Sequence, residues 1–155
     1  MNSMMNDEAM KRKGKKFLYG ILIVLVIGKL FSFNLGRVKE CVQACIYESC
    51  VRQYKVVTSY ADFIEKSQDS QAIYFGSKDC PSCVSGIRKT QEILVEAGEV
   101  YYFKVDFNDP QNLTELDRFK EKYGFETIPN ILIFRGGVVK QYKTKDIFHY
   151  EGGKR

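Results

Sequence analysis

With 155 residues, 45% of them hydrophobic and 14% aromatic, the chain is long enough for one ordinary domain plus an appendage and apolar enough to fill its core, so disorder throughout is excluded. The net charge of +5 is concentrated near the ends, notably in "KRKGKK" at residues 11–16, without the Arg and aromatic interleaving of a nucleic-acid groove, and no nucleic-acid partner is expected. Five cysteines are an odd number, so at least one thiol is free, paired between molecules or transiently reactive, which argues against a simple disulfide-stapled scaffold.

Residues 1–16 read as a basic tail, and residues 17–33, "FLYGILIVLVIGKLFSF", as a membrane-spanning signal anchor whose one charge is Lys29. Seventeen residues at ~1.5 Å each reach about 25 Å, the short end of a bilayer span, and Lys29 can snorkel to the interface. A cleaved signal peptide is the alternative, but "KLFSFNLGRVKE" offers no small-x-small cleavage site. Lys11, Arg12, Lys13, Lys15 and Lys16 precede the span, while Lys29, Arg37 and Lys39 lie at its far end or beyond. The positive-inside rule then puts the N-terminus in the cytoplasm and everything after about residue 34 outside it. The expected location is the cell membrane, crossed once.

Residues 35–54 contain no proline and space Val38, Val42, Cys45, Ile46 and Ser49 as one face of an amphipathic helix, read as a stalk over residues 34–55 or as the first element of the domain. The domain proper is expected over residues 56–155. "KVVTSY" reads as a short strand, and "SYADFIEKSQDS" as a helix capped by Ser59 or Thr58, with Phe63 and Ile64 on its buried face. "QAIYFGS" suits a central strand buried on both sides. Residues 80–97 have helical spacing, with Val84, Ile87, Ile93, Leu94 and Ala97 apolar and Gly98 as the stop. "EVYYFKVDF" is strand-like, "NLTELDRFKEKYG" a helix ending at Gly124, and "PNILIFRGGVVKQYK" two strands joined at Gly136-Gly137. The order β-α-β-α-β-α-β-β implies a mixed α/β sheet flanked by helices, parallel in part, with an antiparallel edge.

The chemistry centres on "SKDCPSCVSG", residues 77–86. Pro81 suits the first helical position, which makes Cys80 the N-cap, its sulfur able to accept from the backbone N–H groups of Ser82 and Cys83 and to feel the helix dipole. Both effects favour a thiolate, with Asp79 opposing and Lys78 partly offsetting it. Cys83, one turn inward, is placed to close a disulfide with Cys80, so one cysteine attacks while the other resolves. Zinc would need a second ligand pair, and Cys41, Cys45, Cys50 and the single His149 are not at the usual spacing, so no metal is expected. A purely structural disulfide would close too short a loop to be a useful staple.

"AIYFGSKDCPSCVSGIRKTQEIL", "VYYFKVDFNDP" and "KYGFETIPNILIFRGGVV" together resemble the thioredoxin superfamily in order and spacing over roughly residues 56–145. The resemblance implies a thioredoxin-like fold and a thiol-disulfide oxidoreductase with Cys80 as nucleophile and Cys83 as resolving thiol. Its redox group would be the Cys80 to Cys83 disulfide, with no organic cofactor. It also implies that Ile128 presents backbone groups to an extended peptide, that Pro129 is cis and packs against the disulfide, and that Lys104 takes the place of a lysine common beneath the active site. Two residues depart from the pattern: Tyr74 stands where many thioredoxins carry a buried acid, and Asp79 where they carry a tryptophan. The final helix is nearly absent, so one sheet face is expected to be thinly covered.

Among superfamily members, the short anchored form with "YFGSKDCPSC" and "VYYFKVDF" resembles the bacteriocin transport accessory proteins of Gram-positive bacteria. That implies a secreted cysteine-containing polypeptide as client and a membrane redox partner or exporter beside it. The second reading is a non-catalytic accessory subunit that holds such a peptide for export. Cys41 and Cys45 share a helix face and Cys50 lies well around the cylinder, read as small buried hydrophobes or stalk contacts, with an intermolecular disulfide through one stalk thiol, or an auxiliary pair passing electrons to Cys80 and Cys83, as the functional readings.

Overall fold

The computed structural model describes Lys29, residues 38–66 and residues 70–150. The expected tail and membrane span lie outside the described residues, apart from Lys29. No helix among the described residues is long and apolar enough to cross a membrane. The chain forms two compact units, Met1–Val42 and Gln43–Arg155. In the first, residues 38–42 are helical, and Val38, Cys41 and Val42 are exposed; in the second, a helix, α1, covers residues 43–51.

The second unit holds the sheet. Its strands are β1 (Lys55–Val57), β2 (Gln71–Gly76), β3 (Glu99–Lys104), β4 (Asn130–Arg135) and β5 (Val138–Tyr142). They lie in the order β1-β3-β2-β4-β5. β2 is central, parallel to β3 and antiparallel to β4, with Ala72 opposite Val100 on one side and Ile133 on the other. Every residue of β2 is buried, as expected of a strand covered on both faces. The helices after α1 are α2 (Tyr60–Lys66), α3 (Pro81–Leu94), α4 (Pro110–Tyr123) and α5 (Thr144–Phe148). The result is the mixed α/β sheet flanked by helices, with an antiparallel edge, that the element order implied.

Strand alternation divides the core into two clusters. Ile73, Phe75, Tyr101, Phe103 and Leu132 point to one face, where Phe63 of α2 and Leu116 and Phe119 of α4 cover them. That cluster is largely aromatic, with Phe119 edge-on to Phe75 at 5.0 Å and to Phe103 at 5.3 Å between ring centroids. Ala72, Tyr74, Tyr102, Ile131 and Ile133 point to the other face, against Cys83, Ile87, Ile93 and Leu94 of α3 and Ile147 of α5.

That second face was expected to be thinly covered, because the last helix is only five residues long. Tyr47 and Val51 of α1 complete it, both buried in the same cluster. Residues 43–54, read as a stalk or as the first element of the domain, therefore pack in the domain as the second of these. Their inward stripe is Tyr47, Cys50, Val51 and Tyr54, at i, i+3, i+4 and i+7; of the expected face Ile46 packs beside it, while Cys45 and Ser49 are exposed. The aromatic ring at Tyr47 buries more surface than any residue of the expected face, and it decides the rotation.

Several boundaries move for local reasons. α3 stops at Leu94, and Glu96 N–H to Ile93 O and Ala97 N–H to Leu94 O tighten the turn beyond it. Gly98 is not the helix stop: a Cβ there would lie 2.9 Å from Ser70 O, so glycine permits close approach to that backbone. α4 starts two residues before the expected Asn112, because the Asp109 carboxylate accepts from Gln111 N–H at 2.9 Å and Pro110 takes the first helical position. Ser59 caps α2 by accepting from Asp62 N–H at 3.0 Å, but Ile64, expected to be buried beside Phe63, is 45% exposed. One residue further round the helix turns it from the sheet. Gly136 and Gly137, at φ 57 and 76, make the tight turn between β4 and β5.

Candidate active site

The loop after β2 sets the first cysteine. Ser77, buried, accepts Cys80 N–H on its carbonyl at 3.3 Å and Asp79 N–H on its hydroxyl at 3.3 Å, so the chain turns directly from strand to helix. Cys80 is the N-cap of α3 with extended backbone (φ −100, ψ 110), and Pro81 follows at the first helical turn. Its Sγ accepts from Cys83 N–H at 3.3 Å, satisfying one of the helix's orphan donors, and lies 3.2 Å from Ser82 Oγ. Cys83 is fully buried one turn inward, and both cysteines are free thiols.

The environment separates the two sulfurs. The Cys80 thiol is lowered from 9.0 to about 6, chiefly by the hydrogen bond that the Cys83 thiol donates to it. Burial opposes this, while the Ser82 hydroxyl and the N–H groups of Cys83 and Ser82 reinforce it. Cys83 is pushed well up, because its proton is held in that hydrogen bond and its sulfur is buried. Hydrogen bonding therefore dominates, and not the flanking charges: Asp79 is exposed, and Lys78 Nζ stands 4.0 Å from Glu48 Oε1 of α1.

Ile128 and Pro129 meet the thiols from the start of β4. Their peptide bond is cis, and Cys80 Sγ lies 3.9 Å from Ile128 O. Pro129 is buried, and its carbonyl accepts from Thr144 Oγ1 at 3.0 Å, which ties the loop to α5. Pro81, exposed, and Ser82, half-buried, form the rim of the same site. Lys104 does not join it: the residue is exposed at the end of β3, and among the described residues its side chain makes no hydrogen bond or ion pair with either thiol.

Behind Cys83 lies a group of phenols that the spacing of the sequence did not single out as a cluster. Tyr47 Oη is 3.0 Å from Tyr102 Oη, Tyr102 Oη donates to Gly76 O at 3.2 Å, and the Tyr74 and Tyr102 rings stack at 5.7 Å. Burial raises the Tyr102 phenol to about 12 and those of Tyr47 and Tyr74 further, so all three are neutral. Tyr74 and Tyr102 are legible as same-face neighbours on paired strands. Tyr47 comes from another element, and nothing in its local sequence points to the site.

Of the other thiols, Cys41 and Cys45 are exposed and so are not small buried hydrophobes, while Cys50 is half-buried against the cluster that holds Cys80 and Cys83, its thiol raised by burial with Arg88 opposing. Among the described residues, no group of three or more His, Cys, Asp and Glu side chains is placed to hold a metal ion. A cavity of about 410 Å³ lined by Tyr54, Leu94, Val95 and Val100 opens at the opposite end of α3 from Cys80.

No family model and no curated protein matches this chain. Among solved structures it is similar to the oxidised form of mitochondrial thioredoxin 3 from Saccharomyces cerevisiae, at 14% identity over 61% of this chain and 86% of that one, with a TM-score of 0.43. It is similar to oxidised thioredoxin O2 from Arabidopsis thaliana at 23% identity, over 56% and 77% of the two chains, with a TM-score of 0.39. With thioredoxin from Aeropyrum pernix it shares 18% identity over 48% of this chain, spanning 63% of that protein's length, with a TM-score of 0.39.

Proposed function

We propose that this chain is a thiol-disulfide oxidoreductase, tethered by residues 17–33 and working outside the cytoplasm to form or exchange disulfides in secreted polypeptides. One observation carries the reading: Cys80 caps α3 as a thiolate former at about 6, with Cys83 held protonated and buried behind it. At neutral pH the first sulfur is ready to attack and the second waits.

In the reducing direction, the Cys80 thiolate attacks a client disulfide, forms a mixed disulfide and releases one client thiolate. Cys83 then attacks Cys80 Sγ, the Cys80 to Cys83 bond forms, the second client sulfur leaves, and the Cys83 proton goes with it. Run backwards, the same steps hand the disulfide to a client dithiol. The redox group is the cysteine pair itself, and no organic cofactor enters. The cis Ile128-Pro129 loop, whose Ile128 carbonyl faces Cys80 Sγ, is where the client backbone docks. Resemblance to the bacteriocin transport accessory proteins makes the client a secreted cysteine-containing peptide, with an exporter or membrane redox protein as partner.

The test is full-length Cys83→Ala expressed in cells and run on non-reducing gels. Removing the resolving thiol should accumulate reductant-sensitive adducts on Cys80 that name the client. Absence of adducts, with export still failing on deletion of the protein, would instead assign a non-catalytic holder of the peptide.

A further inference from the structure

The Tyr74 hydroxyl is fully buried and makes no hydrogen bond of ordinary geometry. Such a group costs stability, and one in a packed core calls for a use. It sits in the cluster that contains Cys83, beside the Tyr47 hydroxyl. The space for both hydroxyls is made by Gly76, where a Cβ would come within 2.4 Å of Tyr74 Oη and 2.7 Å of Tyr47 Oη.

The geometry points to Tyr74 as the hydrogen-bond donor that stabilises the Cys83 sulfur when that sulfur becomes the nucleophile. This deepens the oxidoreductase reading and rests on it. In the free dithiol Cys83 donates its proton towards Cys80 and needs no further donor. Once Cys80 is in a mixed disulfide, its sulfur is no longer an anionic acceptor, and Cys83 must lose its proton in a buried site. The proton leaves with the departing thiol or to water, and negative charge develops on Cys83 Sγ. A buried phenol of the same cluster can turn its proton to that charge with its own desolvation already met on folding. Approach of Tyr74 lowers the Cys83 thiol against the larger raising effects of Cys80 and burial, which has the required sign.

The titratable groups around Cys83 are Cys80 at the helix cap, Tyr74 on β2, Tyr102 on β3 and Tyr47 of α1 behind them. The acids Glu48 and Asp79 act on Tyr102. No positive charge is among these groups. A neutral donor is therefore the available way to ease the deprotonation.

The experiment uses the full chain with Cys41→Ser, Cys45→Ser and Cys50→Ala, reacted with the chromogenic disulfide dithiobis(nitrobenzoate). Attack by Cys80 releases one thionitrobenzoate, and resolution by Cys83 releases the second. Tyr74→Phe keeps the ring and removes only the hydroxyl. It should leave the first phase unchanged, slow the second by roughly tenfold or more, as expected for one bond to a charged sulfur, and move its pH midpoint upward. Tyr102→Phe, which takes a hydroxyl from the same cluster that faces Gly76 O and Tyr47, should leave the second phase within about twofold. Equal slowing in both variants, or a second phase unmoved in rate and midpoint by Tyr74→Phe, overturns the assignment. If Tyr74→Phe does not fold, fluorotyrosine at this position strengthens the donor and should speed the second phase, and an unchanged rate overturns the assignment in the same way. A parent chain with no second phase would sink the oxidoreductase reading itself, and the role of Tyr74 with it.

Discussion

Cys80 shows how much of a thiol's reactivity is set by what points at it. Its acidity comes first from the Cys83 thiol, then from Ser82 and two backbone N–H groups, with burial working against them. Alkylation of Cys80 by iodoacetamide, followed on its own peptide by mass spectrometry, should therefore be half-maximal near pH 6. Cys83→Ala removes the largest of these contributions and should move the midpoint upward towards the ordinary thiol value, with Ser82→Ala moving it less. A midpoint unmoved by Cys83→Ala would mean that the helix terminus alone makes the thiolate. The role of the cap and of its proline is legible in "CPSC". The ordering of the contributions is not, because it depends on how the buried thiol is turned.

The elements meet most tightly where β2 ends. Gly76 lies under the Tyr74 ring and the Tyr47 hydroxyl, and its carbonyl accepts from both Tyr102 Oη and Val105 N–H. Gly76→Ala would overpack this junction of β2, β3 and α1, and should cost about 1–3 kcal/mol by urea denaturation, provided the ring cannot withdraw. Stability within a few tenths of the parent would show that Tyr47 and Tyr74 yield. α1 itself marks where pattern reading met its limit. A helix over residues 35–54 follows from spacing and the lack of proline, but two stripes of similar polarity were available. The hydrophobic surface on the sheet selected the one through Tyr47 and Val51. The same logic exposed Ile64 while burying Phe63 on α2, since neighbours on a helix point about 100° apart.

For the whole reduced protein, the thiol pair makes stability depend on pH with a sign that can be stated. Cys80 titrates at about 6 when folded and at 9.0 in its ordinary state, so between those values the unfolded chain binds more protons. Its contribution is complete above about 9, falls with pH across this window and is gone below 6. Cys83, raised in the fold, acts oppositely: the folded state keeps its proton longer, and stability declines as pH rises past the ordinary thiol range. The Tm of the reduced chain, measured against its disulfide form, should climb from pH 6 towards 9 and turn down above it. A difference flat across that range would remove the thiolate from the native state.

Element order, the buried central strand, the Cys80-Pro81 cap and the Gly136-Gly137 turn are local in origin. Each follows from spacing, from a missing N–H or from a positive φ that glycine adopts freely. Those features, with the resemblance carried by "CPSC" and "TIPN", were enough to place Cys80, Cys83, Ile128 and Pro129 as one candidate site. Folding itself chose which face of α1 turns inward, let that helix cover the face that the short α5 leaves open, put Lys104 in solvent, and gathered Tyr47, Tyr74 and Tyr102 behind Cys83. These depend on contacts between residues as far apart as Tyr47 and Tyr102. Burial energy summed over a whole sheet face decides such contacts, and no window of neighbouring residues carries that sum.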